Sequence, residues 1–242
     1  MVKKEFPEVK LITSQKNLLY IRGHNLNLRR ARGKYFLILN EDTIFPPDTF
    51  TKMLDFMEKN PKVGLASCRQ VDEQDKVDIT CSKFPTPFVE VLESSLIIKS
   101  LLKIIKINHF LKILEDFRYL DWDRKSNRQV DVLPGSLIMG RNSLLKKIGY
   151  FDEKLKFFYG EAGLGQRAKA AGYQSYHLGN ITIIHLKSKA LAKLPSLFRY
   201  QIAEHDMLYY YKKYFGFFWW LVLLILLKPN RLYYLLKSSW TK

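Results

Sequence analysis

The chain has 242 residues, 47% of them hydrophobic, which suits one large domain or a domain with an appendage. Its formal net charge of +17 predicts an anionic partner such as a lipid surface, a charged substrate or nucleic acid. Nucleic acid is the least favoured, because no zinc-finger spacing, recognition-helix signature or basic run interleaved with aromatics is present. The charged N-terminus lacks the apolar core of a signal peptide, so we expect Cys68 and Cys81 to be reduced, buried thiols.

The first part of the chain predicts strands alternating with helices. Strands are expected at Val9–Thr13, Tyr35–Leu39 and Val63–Ser67, and helices at Asn25–Arg32 and Pro47–Asn60. The segment Tyr35–Leu39 is a continuous apolar run bounded by turn formers, a pattern typical of the central strand of a parallel sheet. Val77–Ser82 alternates weakly and favours an edge strand.

The pattern continues to residue 185. Phe88–Leu114 predicts a helical region broken near Asn108, with a basic side at Lys99, Lys103 and Lys106. The later elements are a strand, turn and strand over Val130–Gly140, helices at Asn142–Ile148 and Glu161–Ala171, and strands at Tyr173–His177 and Ile181–His185. This alternation predicts an α/β fold with a mixed, mostly parallel sheet flanked by helices.

After residue 190 the chain becomes basic, aromatic and helical. Its last quarter, from Lys187 to Lys242, carries ten Lys or Arg against Glu204 and Asp206. Within it, Tyr214–Leu227 is fourteen residues without a charge, short of the roughly 20 that a spanning helix needs. Flanking lysines and internal tryptophans favour a segment in the membrane interface, and a helix packed on protein is the alternative. We therefore expect a domain at 1–190 and a membrane-associating tail at 191–242.

Polar residues of types that bind ligands or catalyse reactions follow the predicted strands and turns. Asn40, Glu41 and Asp42 come directly after the strand at Tyr35–Leu39, where open α/β sheets bind ligands. A carboxylate pair there suits a divalent cation on a diphosphate, although a polar turn that caps the next helix explains the same residues. His185 ends the last strand and is either structural or a metal ligand.

Two further groups of candidate site residues lie between Asp42 and His185 in the chain. Glu161 opens a helix and suits a general base if it faces a cleft, or else it is ordinary helix-start chemistry. Acidic residues Asp152 and Glu153 precede it. Gly135 lies in a tight turn and either permits close approach of a substrate or only makes the turn.

The order of these motifs resembles the family 2 inverting glycosyltransferases, in particular the rhamnosyltransferase-like group. The resemblance spans roughly residues 5–190. It is carried by Tyr35–Thr43, Phe84-Pro-Thr86, Ile148–Glu153, Phe157–Tyr173 and Ile183-Ile-His185, among others. It implies a GT-A fold, a nucleoside-diphosphate sugar as donor and a glycan or lipid-linked acceptor. A lipid-linked acceptor fits the membrane-associating tail, so we expect the enzyme at the cytoplasmic face of the cell membrane.

The same resemblance implies the roles of individual residues. Asn25, Asn40, Glu41 and Asp42 belong to the donor and diphosphate side, and Asp42 with His185 would hold Mg²⁺ or Mn²⁺. Gly135, Asp152 and Glu153 belong to the acceptor side. Glu161 takes the place of the catalytic base, and the implied reaction is a single displacement with inversion.

This sequence departs from the family pattern in several places. Gly160 and Gly163 replace two acids that flank the base, and Leu19 and Asn27 stand where the family usually has glycines. The resemblance also implies that an N-terminal strand, helix and strand of ~30 residues or more is missing, which would leave the central strand with an unpaired edge. There are therefore three alternatives. The first is a non-catalytic binding or scaffold subunit that pairs with a partner chain or forms a dimer. The others are one half of a split enzyme and a basic membrane- or nucleic-acid-binding module.

Overall fold

The computed structural model describes residues 1–96, 98, 100, 101, 108–186 and 194–240. The strands are β1 (Tyr35–Leu39), β2 (Thr43–Ile44), β3 (Val63–Val71), β4 (Arg128–Val130), β5 (Leu137–Arg141) and β6 (Gln174–His185). The helices up to the sheet's last strand are α1 (Val2–Glu5), α2 (Leu19–Leu28), α3 (Thr49–Lys59), α4 (Pro87–Ser94), α5 (Asn108–Phe117), α6 (Asn142–Ile148) and α7 (Gly160–Ala170). Three more follow: α8 (Ser196–Phe215), α9 (Phe217–Leu226) and α10 (Lys228–Trp240).

The six strands form one mixed sheet in the order β1-β5-β3-β6-β2, with β4 pairing to β6. The long strands β3 and β6 are parallel. Strand β5 runs antiparallel between β1 and β3, so that β1, β3 and β6 all point the same way. The carboxyl ends of these three strands therefore meet at one edge of the sheet, where a ligand site is expected.

The prediction that Tyr35–Leu39 is a central strand was wrong about its position. Within the described part of the chain, β1 pairs only with β5 and lies at the edge of the sheet. Phe36 and Ile38 are buried, but Leu37 is 39% exposed. An apolar run fits a strand packed on both faces, and sequence periodicity does not reveal how many neighbours such a strand has.

Each face of the sheet has its own core. On one face, α2, α6 and α7 contribute Ile21, Leu144 and Leu164. On the other face α3 contributes Met53 and Met57, which pack with β3, β5 and β6. Strand β5 alternates between them, since Ile138 joins the first core and its two neighbours join the second.

A third core joins the C-terminal helices to the rest of the fold. Tyr210 and Tyr211 of α8 are fully buried, as is Leu223 of α9, and they pack with Val91 of α4 and Ala162 of α7. Asp206 of α8 is also fully buried and accepts hydrogen bonds from the backbone N–H groups of residues 156–158 at 2.7–2.9 Å. Helix α8 is therefore an integral part of the α/β fold.

The other sequence predictions have mixed outcomes. Helices at 47–60, 142–148 and 161–171 are confirmed within two residues, whereas the helix expected at 25–32 lies earlier, at α2. The strand predicted at Val9–Thr13 was wrong, because that segment is exposed and has no regular structure. Val77–Ser82 forms only two isolated bridges, and β6 is one strand rather than two.

Some predictions fall outside the described residues. They are the face formed by Lys99, Lys103 and Lys106, and the domain boundary near residue 190. Cys68 and Cys81 are free and buried as predicted, and burial raises the pKa of both thiols to about 12. Within the described parts of the chain, no helix is both long and apolar enough to cross a bilayer.

Candidate active site

Helix α7 presents Glu161 in its first turn, and a strained residue precedes it. Tyr159 has left-handed backbone angles, φ 61° and ψ 4°, a conformation that costs a non-glycine residue about 1–2 kcal/mol. Packing holds it there, because its ring stacks on Tyr210 at 4.9 Å and its hydroxyl donates to Glu90 at 2.7 Å. The start of α7 is thus fixed by α4 and α8 together.

The Glu161 carboxylate lies against Gly135 and Tyr20. The Tyr20 hydroxyl donates to the Gly135 carbonyl at 3.0 Å, and the same hydroxyl lies close enough to Glu161 to influence its pKa. A Cβ atom added at Gly135 would collide with both the Glu161 carboxylate and the Tyr20 hydroxyl. The turn at Gly135 therefore has a packing reason to be glycine, since it lets the backbone approach the carboxylate.

The electrostatics of Glu161 suit a proton acceptor. Burial raises the pKa of its carboxyl group, opposed in part by its own backbone N–H and by the Tyr20 hydroxyl. Burial likewise holds the pKa of Tyr20 well above its ordinary value, and the nearby Glu161 charge adds to this. A carboxyl group with a raised pKa in a cleft is a recurrent property of catalytic bases.

A backbone hydrogen bond connects the turn beside this carboxylate to the carboxyl end of β1. Next to Gly135, the carbonyl oxygen of Ser136 accepts the backbone N–H of Asn40 at 2.9 Å. The Ser136 hydroxyl donates to the Gln70 side chain of β3 at 2.8 Å, and both groups are buried. Thr43 closes the turn after β1 by donating to the Asn40 carbonyl at 2.8 Å.

Asp42 and His185 meet at the same edge of the sheet. Because Thr43 pairs with His185 in the β2–β6 ladder, Nε2 of His185 lies 3.3 Å from Oδ1 of Asp42. On the other side of the ring, Oδ2 of Asp78 lies 3.8 Å from Nδ1. All three side chains are largely buried. Within the described residues, no group of three or more His, Cys, Asp or Glu is arranged to hold a metal ion.

Three predicted residues have other partners in the structure. Asn25 is buried and holds the loop before α7. Its side-chain amide forms hydrogen bonds with the backbone of Phe151 and with the carboxylate of Glu153. Glu153 also pairs with Arg29 at 2.8 Å, and that bond holds the pKa of this exposed carboxyl group below its usual range. These contacts fasten the loop to α2, and the donor role of Asn25 stays a prediction.

Asp152 fastens the same loop to α8. It accepts hydrogen bonds from Tyr209 at 2.7 Å and from Lys213 at 2.6 Å. Burial raises the pKa of Asp152, but these bonds outweigh it, and the pKa lies below the usual range. The acceptor roles of Asp152 and Glu153 stay predictions. Of the three residues assigned to the acceptor side, the structure places Gly135 beside Glu161.

The two remaining residues of the predicted donor side lie at the exit of β1. Asn40 uses its backbone to join β1 to Ser136, as described above. Glu41 is exposed, and its charge acts on His24, whose pKa is lowered by burial and partly restored by Glu41. Helix α2 therefore borders the end of β1 as well as Glu161.

The sequence analysis missed several residues of this site. Tyr20 and Gln70 reach the site from elements distant in sequence, and no local pattern marks them. Asp78 lies within the weakly alternating segment Val77–Ser82, which resembles an ordinary edge strand. Asp206 had a sequence signal, since an acidic residue in an otherwise basic tail is unusual, but its partners could not be inferred.

A family model and a solved structure are similar to this chain. The family model described as glycosyl transferase family 2 matches residues 1–149, a span that includes Asp42 and Gly135 and ends before Glu161 and His185. A comparison with curated protein sequences gave no match.

One similar solved structure is that of the mannosyltransferase PcManGT from Pyrobaculum calidifontis in complex with GDP-Man and Mn2+. Its TM-score to this chain is 0.49 and its sequence identity is 16%. The similarity covers 87% of this chain and 48% of that one, so the chain spans about half the length of that protein. The family model matches more than half of this chain, and the mixed sheet flanked by helices is the GT-A architecture that the resemblance implied. The chain belongs to glycosyl transferase family 2.

Proposed function

We propose that this protein is a metal-dependent, inverting glycosyltransferase. It would transfer a sugar from a nucleoside-diphosphate sugar to a hydroxyl group of a glycan or lipid-linked acceptor. One observation carries the proposal beyond family membership. Glu161, a carboxylate whose pKa is raised by burial, lies beside the Gly135–Ser136 turn that is hydrogen-bonded to the end of β1.

Glu161 would act as the general base. Its carboxylate would take the proton of the acceptor hydroxyl while that oxygen attacks the anomeric carbon. The bond from the anomeric carbon to the diphosphate oxygen breaks at the same time, and its electron pair leaves with the nucleoside diphosphate. Attack from the face opposite the leaving group inverts the anomeric configuration.

The residues at the end of β1 and β6 fit a divalent cation. Asp42 offers a carboxylate oxygen, the donor type that Mg²⁺ and Mn²⁺ prefer, and His185 offers an imidazole nitrogen as a second ligand. A cation bound there would neutralise the donor diphosphate and stabilise it as a leaving group. Two protein ligands leave most coordination positions for phosphate oxygens and water, the usual arrangement for these ions on nucleotides.

A calorimetric titration tests this function. The full chain is titrated with dTDP, UDP and GDP, with and without Mn²⁺. We expect one nucleotide to bind only with the metal, and dTDP binding would agree with the rhamnosyl donor that the resemblance implies. Asp42→Ala should abolish this binding, whereas Asp55→Ala, a change on the exposed side of α3, should leave it intact. Nucleotide binding that is the same with and without Mn²⁺, and the same in Asp42→Ala as in the unmodified chain, would overturn the proposal.

The alternative is a non-catalytic subunit, and the glycines beside Glu161 favour it. Gly160 is packed so closely that an added Cβ would collide with Ile21, and at Gly163 it would lie 3.2 Å from the Tyr214 hydroxyl. The two flanking acids of the family pattern would thus not fit here without movement. Nucleotide binding without any transfer to a panel of glycans would select this alternative.

We also propose that α9 and α10 associate with the inner face of the cell membrane. These helices expose large apolar side chains, namely Phe217, Phe218, Leu221, Ile225, Leu226, Leu232, Tyr233, Leu235 and Leu236. Basic residues border them at Lys212, Lys213, Lys228, Arg231 and Lys237. An apolar surface with a basic margin is the usual composition of an interfacial helix, and the location would suit a lipid-linked acceptor.

A further inference from the structure

A cavity of about 600 Å³ opens next to Glu161. It lies between the 79–82 segment, α4, α7, α8 and the start of α10. Its size falls within the range of roughly 300–1,000 Å³ that is typical of small-molecule sites. Glu161 is part of its wall, so a molecule held in the cavity would lie against the residue proposed as the base.

The charge of this cavity is opposite to that of the whole chain. Among the described residues of its wall, four are glutamates, Glu90, Glu93, Glu161 and Glu204, and one is a cation, Arg118. Arg118 is itself paired with Glu93 at 2.7 Å. In a chain of net charge +17, the wall of this cavity therefore has an acidic balance. A phosphate or carboxylate would meet like charges there, which costs binding free energy.

The glutamates are placed by hydroxyl groups. Glu90 is buried and accepts hydrogen bonds from Tyr159, Tyr211 and Ser94. Glu204 accepts one from Tyr200 at 2.9 Å. A carboxylate has about four lone-pair sites, so Glu93 and Glu204 keep capacity for further donors. The hydroxyl groups of a sugar are such donors.

The rest of the wall is suited to the apolar face of a sugar ring or to an apolar aglycone. Tyr200 and Tyr234 stack with ring centroids 4.5 Å apart and an interplanar angle of 18°. Phe117, Met207 and Leu227 add apolar surface. Carboxylates that accept hydroxyl hydrogens beside aromatic and aliphatic surfaces form a site for a polyhydroxylated, uncharged molecule.

We propose that this cavity binds the acceptor as an uncharged glycoside and excludes acceptors that carry phosphate or carboxylate on the reacting sugar. Glu93 and Glu204 accept its hydroxyl hydrogens, the Tyr200–Tyr234 stack contacts its apolar part, and Glu161 receives the proton of the reacting hydroxyl. The assignment of the cavity to the acceptor rests on the proposed glycosyl transfer. The preference for uncharged ligands rests on the charge of the wall alone.

The test is saturation-transfer difference NMR on the full chain without donor. The neutral probes are the p-nitrophenyl glycosides of glucose, galactose, mannose and N-acetylglucosamine, and the anionic probes are p-nitrophenyl phosphate and glucose 6-phosphate. We expect signals from at least one glycoside and none from the anionic probes. Glu204→Gln and Glu93→Gln should each weaken glycoside binding about tenfold, because the amide oxygen that remains is a weaker hydrogen-bond acceptor than the charged carboxylate.

A matched control and a charge reversal sharpen the result. Glu115→Gln, on the exposed side of α5, should leave glycoside binding unchanged. Glu204→Lys should weaken glycoside binding and admit the anionic probes, with folding checked by thermal unfolding. Stronger signals from the anionic probes, no signal from any glycoside, or equal effects of Glu204→Gln and Glu115→Gln would overturn the proposal.

This outcome is separable from that of the proposed function. Nucleotide binding depends on Asp42 and Mn²⁺, whereas the NMR experiment uses neither donor nor metal. If the nucleotide binds and the glycosides do not, the acceptor inference fails and the transferase proposal stands. If glycosides bind and no nucleotide does, the cavity is a glycan site of a non-catalytic protein.

Discussion

The ionisation of Glu161 gives a testable prediction about stability. Burial raises the pKa of its carboxyl group, so the folded protein binds this proton more tightly than the unfolded chain does. Ionising Glu161 therefore costs stability above the unfolded pKa, and this cost disappears below about pH 4. Glu161→Gln should raise the melting temperature at neutral pH, give no difference below about pH 4, and abolish transfer.

The rate profile gives an independent measurement of the same group. Because the base must be ionised, the acidic limb of kcat/KM should lie above the ordinary pKa of glutamate. Glu115→Gln serves as the control for thermal unfolding, since it removes an exposed carboxylate and should shift neither curve. A melting temperature that Glu161→Gln lowers at neutral pH would contradict the burial argument.

Gly135 supplies a second prediction at the residue scale. In Gly135→Ala the new methyl group would collide with the Glu161 carboxylate and the Tyr20 hydroxyl. We expect a loss of about 1–3 kcal/mol in the free energy of unfolding, the usual cost of overpacking, and reduced transfer. Denaturant unfolding gives the first quantity.

Gly23→Ala is the matched comparison for that substitution. Gly23 lies inside α2, and an added Cβ there would meet nothing within 4 Å. Alanine should stabilise the helix by roughly 0.5–1 kcal/mol. If both glycine substitutions shifted stability in the same direction, close packing at Gly135 would not be the reason for its glycine.

At the scale of elements, helix α8 holds the start of helix α7, which carries Glu161. The buried carboxylate of Asp206 accepts hydrogen bonds from the three backbone N–H groups of residues 156–158. The last of these residues precedes Glu161 by three positions. Asp206→Ala would leave those donors without their acceptor, and we expect a loss of about 3 kcal/mol in the free energy of unfolding. Chemical denaturation of the full chain measures this loss.

Two variants separate the hydrogen bonds of Asp206 from the size of its side chain. Asp206→Asn keeps the size and one acceptor oxygen, so its loss should be smaller than that of alanine. Glu204→Gln, on the same helix but half-buried, should change stability little. Equal stability of Asp206→Ala and the unmodified chain would mean that α8 is not needed for the start of α7.

At the scale of the whole molecule, charge and exposed apolar surface predict membrane binding. The chain should sediment with phosphatidylcholine vesicles that contain phosphatidylserine, and added salt should weaken this binding by screening. Phe218→Glu combined with Leu232→Glu should reduce binding strongly, because it places carboxylates on the exposed apolar face. Leu111→Glu, an exposed leucine of α5, is the control. Binding that Leu111→Glu reduces equally would point to a nonspecific charge effect.

The sequence determined the elements whose signals are local. Helices α3, α6 and α7 follow from apolar spacing and from Gly or Asn–Pro at their ends, and β1 and the turn at Pro134–Gly135 follow from short patterns. The order of the motifs was sufficient for the family. Asp42 and His185 could also be placed at strand ends, because a strand that ends in polar residues shows this in its own sequence.

Only the tertiary structure decided which residues meet. Sequence periodicity did not reveal that β1 is an edge strand, since strand neighbours depend on pairing with β5, about a hundred residues later. Tyr20 reaches Gly135 across 115 residues, and Asp206 reaches Phe157 across 49. Such contacts depend on how the cores pack three-dimensionally, and no single segment encodes that packing. The acidic cavity within a basic chain arises for the same reason, because folding brings together glutamates that are far apart in sequence.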